Sequence, residues 1–491
     1  MQCLGIVLVG PEHVENERDL ARLGGVSVLA RIERVEHPGA SFEALATRLG
    51  EQLDATLDPS EEPEIVHQEE HPVWHPFTQL QDFSPRGRVV SARGAWLELE
   101  SGHRVLDGIS SWWVNVLGHG HPRIAEAIAE QARRFDQVIL ADFTHGPAEV
   151  LTARLGSVLP GDLRRVFFSD DGSTSVEVGL KMALQAQRLR NETERTRFVA
   201  FTGAYHGDTV GAMSVGERGP FTEAFSEMLF DVDVLPYGDA AAATAYFREH
   251  GHQVVAAIVE PLVQGAAGMV FQSVQSLASL AQDVQGAGAL LIADEVMTGW
   301  GRTGTLFAVE QAAVVPDILC CSKGITGGTL PLGLTACREH VFETFLGQDK
   351  QTAFLHGHSY TGNPIACAAA LATLELFEEI GVLERVAMLE SGYRRFAPAF
   401  AELPGVSGVR FRGGIFAFEL PGSGGYFDPA GRRLADACFP HGLYIRPLGN
   451  VVYLMPPYCL DPGELDRAMS VILEQTRILL KVTDGRATTG P

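Results

Sequence analysis

Four of the chain's residues are lysines, Lys181, Lys323, Lys350 and Lys481, so chemistry that needs a side-chain amine has four candidates. Lys481 falls in a C-terminal tail, Lys350 in the polar stretch GQDKQT, and Lys181 on a helix from about Ser173, where it should face solvent. Lys323 differs, because it follows the apolar run Ile318 to Cys321 and precedes GITGG. A buried strand ending in a glycine-rich turn is the usual ligand position in an open α/β sheet. A solvated surface amine is the plain reading of an arbitrary lysine.

Other strand ends offer complementary groups. Asp294 closes LLIADEV, where an unpaired carboxylate is unfavourable. A protonated pyridine nitrogen would pair with it and keep a ring able to accept electrons from a substrate carbanion; capping the next turn is the alternative. In FFSDDGSTSVEVGLKMA, Gly172, Ser173 and Thr174 lie between a strand and a helix marked by Val176, Leu180 and Ala183. The N–H groups at such a helix start suit a phosphate, and a Ser/Thr N-cap would explain the same residues. In FTGAYHGDT, Tyr205 either stacks on a flat ligand or packs in the core, with His206 and Asp208 nearby. In VEPLVQGAAG, Glu260 and Gln264 are turn groups or contacts to a ring hydroxyl. A phosphate loop, an aromatic, a carboxylate and an amine, in that order, are the parts of a pyridoxal phosphate site.

These groups need a scaffold of strands that all end on one side. From about His121 to Leu374, helices alternate with apolar runs at Arg165–Phe168, Phe198–Phe201, Val254–Val259, Ala289–Ala293 and Ile318–Cys321. Runs without polar alternation predict a mostly parallel sheet covered on both faces. From 376 to 480 a long amphipathic helix precedes strands near Val409–Phe411, Ile415–Glu419 and Val451–Met455, a smaller α+β domain. Residues 1 to about 50 read as β-α-β-α, with strands at Leu4–Val9 and Val26–Arg31 and helices at Glu12–Leu23 and Ser41–Leu53. The predicted organisation is an N-terminal fragment over 1–56, an acidic linker over 57–70, and a segment over 71–120 that joins the small domain through strands at Val89–Ser91 and Ala95–Leu99. A large cofactor-binding domain over 121–375 and the small domain over 376–482 follow. A chain of 491 residues accommodates that number of units.

Composition excludes several function classes. A net charge of -23 leaves no basic face for sequence-independent nucleic-acid binding. No run of eighteen apolar residues marks a membrane span, and the first fifteen residues carry Glu12 and Glu15 but no Lys or Arg, unlike signal or transit peptides. Seven cysteines without C-x-x-C spacing predict buried thiols in a reducing compartment, no bound metal and a cytoplasmic location.

IADEVMTGWGRTG and SKGITGG give the chain, over roughly residues 71 to 480, a resemblance to the class III pyridoxal-phosphate aminotransferases. WHPFTQL, DGISSWW, YHGDT, HGHSYTGNP and IRPLGNVVYLMPPY are similar to the branch that converts 8-amino-7-oxononanoate to 7,8-diaminononanoate in biotin biosynthesis. The resemblance implies the α/β architecture of fold type I pyridoxal-phosphate transferases, a large mostly parallel α/β/α domain plus a smaller α+β domain, with the N-terminal α/β piece appended. It further implies that Lys323 holds the cofactor as a Schiff base and shuttles protons, Asp294 contacts the pyridine nitrogen, Tyr205 packs on the ring, and Gly172 and Ser173 bind phosphate. A homodimer with shared active sites is implied too, Gly357, His358 and Ser359 reaching the neighbouring subunit's cofactor phosphate. Trp112 matches an aromatic of the substrate pocket, Arg446 an arginine that binds the acceptor's carboxylate, and Arg302 a second arginine near the pocket. Arg446 also stands out by position, since a lone arginine between Ile445 and Pro447 needs an anionic partner, and a planar guanidinium suits a carboxylate. An ion pair with an Asp or Glu of the chain is the alternative.

The amino donor is open between two molecules. SSWW and YLMPPY resemble enzymes that use S-adenosylmethionine, the favoured donor. Phe77, where those enzymes carry a tyrosine, and HGHSYTGNP resemble the lysine-using branch. Another class III ω-aminotransferase, an aminomutase or a non-catalytic scaffold are the competing readings. LGIVLVGPEHVENERDLARLGGVSVLARI resembles the C-terminal part of dethiobiotin synthetase, but no G-x-x-x-x-G-K-[ST] loop occurs in the chain. A fusion remnant without ligase activity, a piece whose upstream half is missing, and a generic α/β appendage are the readings of this segment.

Overall fold

The computed structural model describes residues 6–9, 28–32, 73–81 and 83–487, and the chain divides into two units, Met1–Pro85 and Arg86–Pro491. In the first, β1 (Ile6–Val9) and β2 (Val28–Ile32) pair in parallel, within two residues of the expected strands. The expected helices over 12–23 and 41–53 and the linker over 57–70 lie outside the described residues. Phe77 belongs to this first unit.

The second unit opens with β3 (Val89–Arg93), β4 (Trp96–Leu99) and β5 (Arg104–Asp107), an antiparallel meander. The chain then makes a left-handed turn at residues 110–113, where Ser110, Ser111, Trp112 and Trp113 have φ of 50, 45, 70 and 72°. L-residues disfavour this region by about 1–2 kcal/mol each, so bonds from outside the turn must hold it.

Next come α1 (Pro122–Arg134) and α2 (Gly146–Val158), then alternating strands and helices. These are β6 (Leu163–Ser169), α3 (Gly172–Leu189), β7 (Arg197–Phe201), β8 (Asp233–Leu235), α4 (Ala240–His250) and β9 (Val254–Val259). A short hairpin of β10 (Val263–Gln264) and β11 (Val270–Phe271) follows, then α5 (Val274–Gly286), β12 (Leu290–Asp294), β13 (Ile318–Cys321) and β14 (Gly333–Arg338). The large sheet has the order β6-β14-β13-β12-β9-β7-β8. Neighbours pair in parallel except that β14 runs antiparallel to both β6 and β13.

Burial explains the apolar runs. Successive residues of β12, of β13 and of β9 from Ala256 onward alternate between two core clusters, one on each face, as period-two side chains do. Ile258, Ile292 and Ile318 pack with Val176, Leu180 and Ala183 of α3, while Val259, Leu291 and Leu319 join the opposite cluster. Both faces are therefore dry, and the strands need no polar alternation.

Beyond the sheet, α6 (Pro364–Glu379) packs on α1 and α2. The final part contains α7 (Val382–Ala401), β15 (Ser407–Arg412), β16 (Ile415–Glu419), α8 (Ala430–Cys438), β17 (Leu443–Tyr444), β18 (Val451–Leu454) and α9 (Pro462–Ala487). β15, β16 and β18 form one antiparallel sheet, while β17 adds to β5, so strands within residues 89–107 and 443–444 share a second sheet. No described helix is long and apolar enough to cross a membrane.

Candidate active site

A cavity of about 420 Å³ lies at the ends of the large sheet's strands, lined among others by Gly172, Ser173, Tyr205, Asp294 and Lys323. Five residues drawn from four separate sequence motifs thus meet in one space. Lys323 stands two residues beyond β13 with φ of 48°, a left-handed conformation that is unfavourable for a side-chain-bearing residue. Its loop is tied down by Ser322 Oγ, which donates to Leu332 O at 2.8 Å, and by Thr326 Oγ1, which donates to Leu330 O at 2.6 Å. The amine sits 4.9 Å from the centre of the Trp113 ring. Burial lowers its pKa to about 8, against the opposing charges of Asp294 and Glu260. Lys181, Lys350 and Lys481 are all exposed.

Asp294, the last residue of β12, is 4 % exposed. Its Oδ1 accepts from Val296 N at 3.0 Å and its Oδ2 from His206 Nδ1 at 2.6 Å. His206 is itself buried; burial pulls its pKa down, but the Asp294 hydrogen bond and the charges of Asp294 and Glu260 outweigh that and raise it. Its Nε2 has no partner among the described residues. The imidazole therefore orients Asp294, while each carboxylate oxygen retains a lone pair for a further donor.

At the start of α3 the N-cap is Asp171, not a Ser or Thr. Its Oδ1 accepts from Thr174 N at 2.8 Å, and Thr174 Oγ1 accepts from Asp171 N at 3.1 Å, a complete capping box. Ser173 is thereby freed from capping, and its Oγ accepts from Asp208 N at 3.1 Å. Gly172 and Ser173 occupy the first helical positions, whose N–H groups have no acceptor inside the helix. Gly207 lets the next loop close over them, because at φ of 129° a Cβ would stand 2.1 Å from Ser173 Oγ.

Tyr205 lies on one wall, its hydroxyl donating to Asp208 Oδ2 at 3.1 Å. Glu260 accepts from Tyr205 N at 3.2 Å and Gly265 N at 3.0 Å, and burial raises its pKa to about 7. Each of its oxygens accepts one backbone N–H, as a turn carboxylate's would, and it also lines the cavity, where a ring hydroxyl could reach it; Gln264 is buried beside it.

Trp112 and Arg446, far apart in sequence, come together, with the guanidinium carbon 4.2 Å from the Trp112 ring centre, although neither is among the residues lining the cavity. Among the described residues Arg446 has no carboxylate within ion-pair distance. Trp113, unmarked as a site residue by sequence, lines the cavity and donates from Nε1 to Tyr453 OH at 3.1 Å. The doubled tryptophan was the available signal, but which ring faces the cavity depends on the left-handed turn. Arg302 is only 1 % exposed and does not line the cavity. Its Nη1 donates to Pro456 O at 3.0 Å, its Nη2 lies 3.5 Å from Ser110 Oγ, and it stacks on Tyr458.

Gly357 and Ser359 are exposed and do not line this chain's cavity. His358 Nδ1 lies 3.4 Å from Asp170 Oδ2, at the cavity edge, and its Nε2 is buried without a partner among the described residues. Phe77 lies in the first unit.

This donor set fits pyridoxal phosphate. Lys323 offers an amine, and Asp294 an oriented carboxylate for a ring nitrogen. Tyr205, Val296 and Met297 offer flat or apolar surface, and the start of α3 offers N–H groups for a phosphate.

Residues 84–475 match the family model for class III aminotransferases. The chain is 49% identical over 419 residues to the adenosylmethionine-8-amino-7-oxononanoate aminotransferase of Synechococcus elongatus, covering 82% of this chain and 98% of that one. With the enzyme of the same name from Nitratidesulfovibrio vulgaris it shares 42% identity, covering 82% of this chain and 79% of the relative. Among solved structures, the same-named enzyme of Methanocaldococcus jannaschii superposes with a TM-score of 0.80 at 32% identity, over 88% of this chain and 99% of that one. A pyridoxal-phosphate-bound amine transaminase from an uncultivated Pseudomonas species superposes with a TM-score of 0.76 at 31% identity, over 83% and 99%.

Proposed function

The chain belongs to the class III aminotransferases, which are pyridoxal-phosphate enzymes, and we propose that within the family it transfers an amino group from S-adenosylmethionine to C7 of 8-amino-7-oxononanoate, giving 7,8-diaminononanoate. The observation that carries the substrate is Arg446, a guanidinium held against Trp112 with no carboxylate of the described chain to pair with. A planar bidentate donor in that state is suited to the acceptor's terminal carboxylate. The names of the relatives from Synechococcus elongatus and Nitratidesulfovibrio vulgaris point the same way.

Bound between these residues, pyridoxal phosphate supplies an electron sink for the carbanion left when the substrate α-proton departs. The chain's own groups do the rest. Lys323 Nζ, with its pKa lowered to about 8, is neutral in a useful fraction near neutral pH and moves a proton to and from the reacting carbon. Asp294, braced by His206, holds negative charge opposite the ring nitrogen. Gly172 and Ser173 N–H groups anchor the phosphate, and Tyr205 covers one face. Arg446 and Trp112 would fix the far end of the acceptor, so that C7 lies where the Lys323 amine can deliver its proton.

The enzyme works as a homodimer in which Gly357, His358 and Ser359 serve the neighbouring subunit's phosphate end. The exposure of Gly357 and Ser359, and a His358 Nε2 that has no partner among the described residues, support this. Lysine as donor is the second reading, favoured by Phe77 and HGHSYTGNP. Purified enzyme incubated with 8-amino-7-oxononanoate and either donor decides both points. Product with S-adenosylmethionine is the expected result; product with lysine alone moves the donor, and no product with either defeats the substrate assignment.

A further inference from the structure

We propose that Asp107 and His119 are positioning residues for the acceptor, acting by holding the left-handed turn at residues 110–113 that carries Trp112 beneath Arg446. The proposal rests on the reading of Arg446 as the carboxylate anchor. The turn contains no Gly, Asn or Asp, the residues that tolerate positive φ, and two of its four members are tryptophans. Its own sequence therefore opposes its shape, and the restraint must come from its surroundings.

That restraint centres on Asp107, the fully buried last residue of β5. Its Oδ1 accepts from Ile109 N at 3.2 Å, and its Oδ2 accepts from Ser111 Oγ at 2.7 Å and His119 Nε2 at 2.9 Å. His119 is fixed in turn, with Nδ1 accepting from Asn115 Nδ2 at 3.0 Å and its backbone N donating to Gly94 O at 2.7 Å. Asp107 thus bonds the turn on one side and the segment after it on the other, closing a ring of hydrogen bonds around residues 107–119. Ser110 Oγ, donating to Met455 O at 2.8 Å, pins the turn to the chain beyond β18. Gly172, Ser173, Tyr205, Asp294 and Lys323 make no hydrogen bond to Asp107, Asn115 or His119, but the Trp113 ring centre in the same turn lies 4.9 Å from the Lys323 amine, so the cofactor's absorbance must be read beside acceptor binding to tell the two effects apart.

The test uses the pyridoxal-phosphate-loaded enzyme and nonanoate, a nine-carbon carboxylate with no reactive carbonyl, its Kd read by calorimetry. His119→Ala should weaken nonanoate binding about tenfold, the effect of two lost hydrogen bonds in the support at about threefold each. The cofactor's visible absorbance should be unchanged, and KM for 8-amino-7-oxononanoate should rise with kcat little altered. His119→Gln, whose amide can both donate to Asp107 and accept from Asn115, should restore nonanoate binding to within about twofold. Unchanged binding in His119→Ala, parallel loss of the absorbance band, or failure of His119→Gln to restore binding would each overturn the proposal. Should His119→Ala not fold, Ser111→Ala removes one bond to Asp107 and should weaken nonanoate about threefold; no change would overturn the proposal as well. Arg446→Ala is the control for the underlying reading: if it leaves nonanoate binding intact, the carboxylate anchor fails, and the positioning role falls with it for that distinct reason.

Discussion

Replacing Arg446 by alanine separates binding from stability, because the two effects differ in size. In the protein alone, the guanidinium's contact is the Trp112 ring at 4.2 Å, and no carboxylate of the described chain depends on it. Losing such a cation–π contact costs about 0.5–2 kcal/mol, and no buried anion is stranded. With the acceptor bound, the same substitution removes charge-assisted hydrogen bonds of about 1.5–3 kcal/mol, or roughly ten- to hundredfold in affinity at 1.4 kcal/mol per decade. Arg446→Ala should therefore melt within a few degrees of the parent while KM for 8-amino-7-oxononanoate rises by that factor. Arg446→Lys should fall between, keeping the charge but losing the planar fork. The assay is steady-state kinetics with 8-amino-7-oxononanoate and with an amino ketone of equal length lacking the carboxylate, at saturating donor. The loss should be confined to the carboxylated acceptor; an equal loss on both, or none on either, refutes the reasoning.

Apoenzyme mixed with pyridoxal phosphate should develop its visible band faster as pH rises, levelling off above about pH 8. Burial lowers the Lys323 pKa to about 8, and the neutral amine that attacks an aldehyde accumulates as pH passes that value; a rate still climbing at pH 10 would contradict this. Asp294→Asn should lower kcat by about a hundredfold or more while the protein still folds, since it removes the charge facing the ring nitrogen; single-turnover kinetics read it. Gly207→Ala should lower stability by about 2 kcal/mol or more and loosen cofactor retention, because the added Cβ meets Ser173 Oγ in a backbone conformation alanine avoids. Thermal melts with and without pyridoxal phosphate measure both effects.

The strands carrying the site were readable where both their faces are dry. β9 and β13 match the apolar runs residue for residue, and Lys323 and Asp294 were found by standing at the ends of such runs. β14 escaped because GLTACR begins with Gly and mixes Thr and Arg with its apolar residues, so its strand character comes from pairing with β6 and β13. β8 and β17 are three and two residues long, too short for any period to show. At the start of α3 the sequence left a Ser/Thr cap open, and the decisive residue was Asp171, one position earlier. The His206–Asp294 pair spans 88 residues, a separation that no local pattern encodes. The turn at 110–113 was illegible for another reason: its conformation contradicts the intrinsic preference of all four residues and is imposed by Asp107, His119 and Met455.

The reversed direction of β14 constrains how the Lys323 loop can move. A parallel neighbour would have required the chain to leave β13 through a helix and return from the far end of the sheet. An antiparallel one begins beside the end of its predecessor, so residues 322–332 form a short bight whose two ends are clamped by adjacent rungs of the same sheet. Such a bight is held at both ends, and Ser322 and Thr326 stitch it to Leu332 and Leu330 from within. The amine is thus mounted on the stator of this machine. Whatever swings to admit or release the two substrates must belong to segments contributed by other elements, and mobility measured by hydrogen exchange should be lowest at residues 322–332 among the loops lining the cavity.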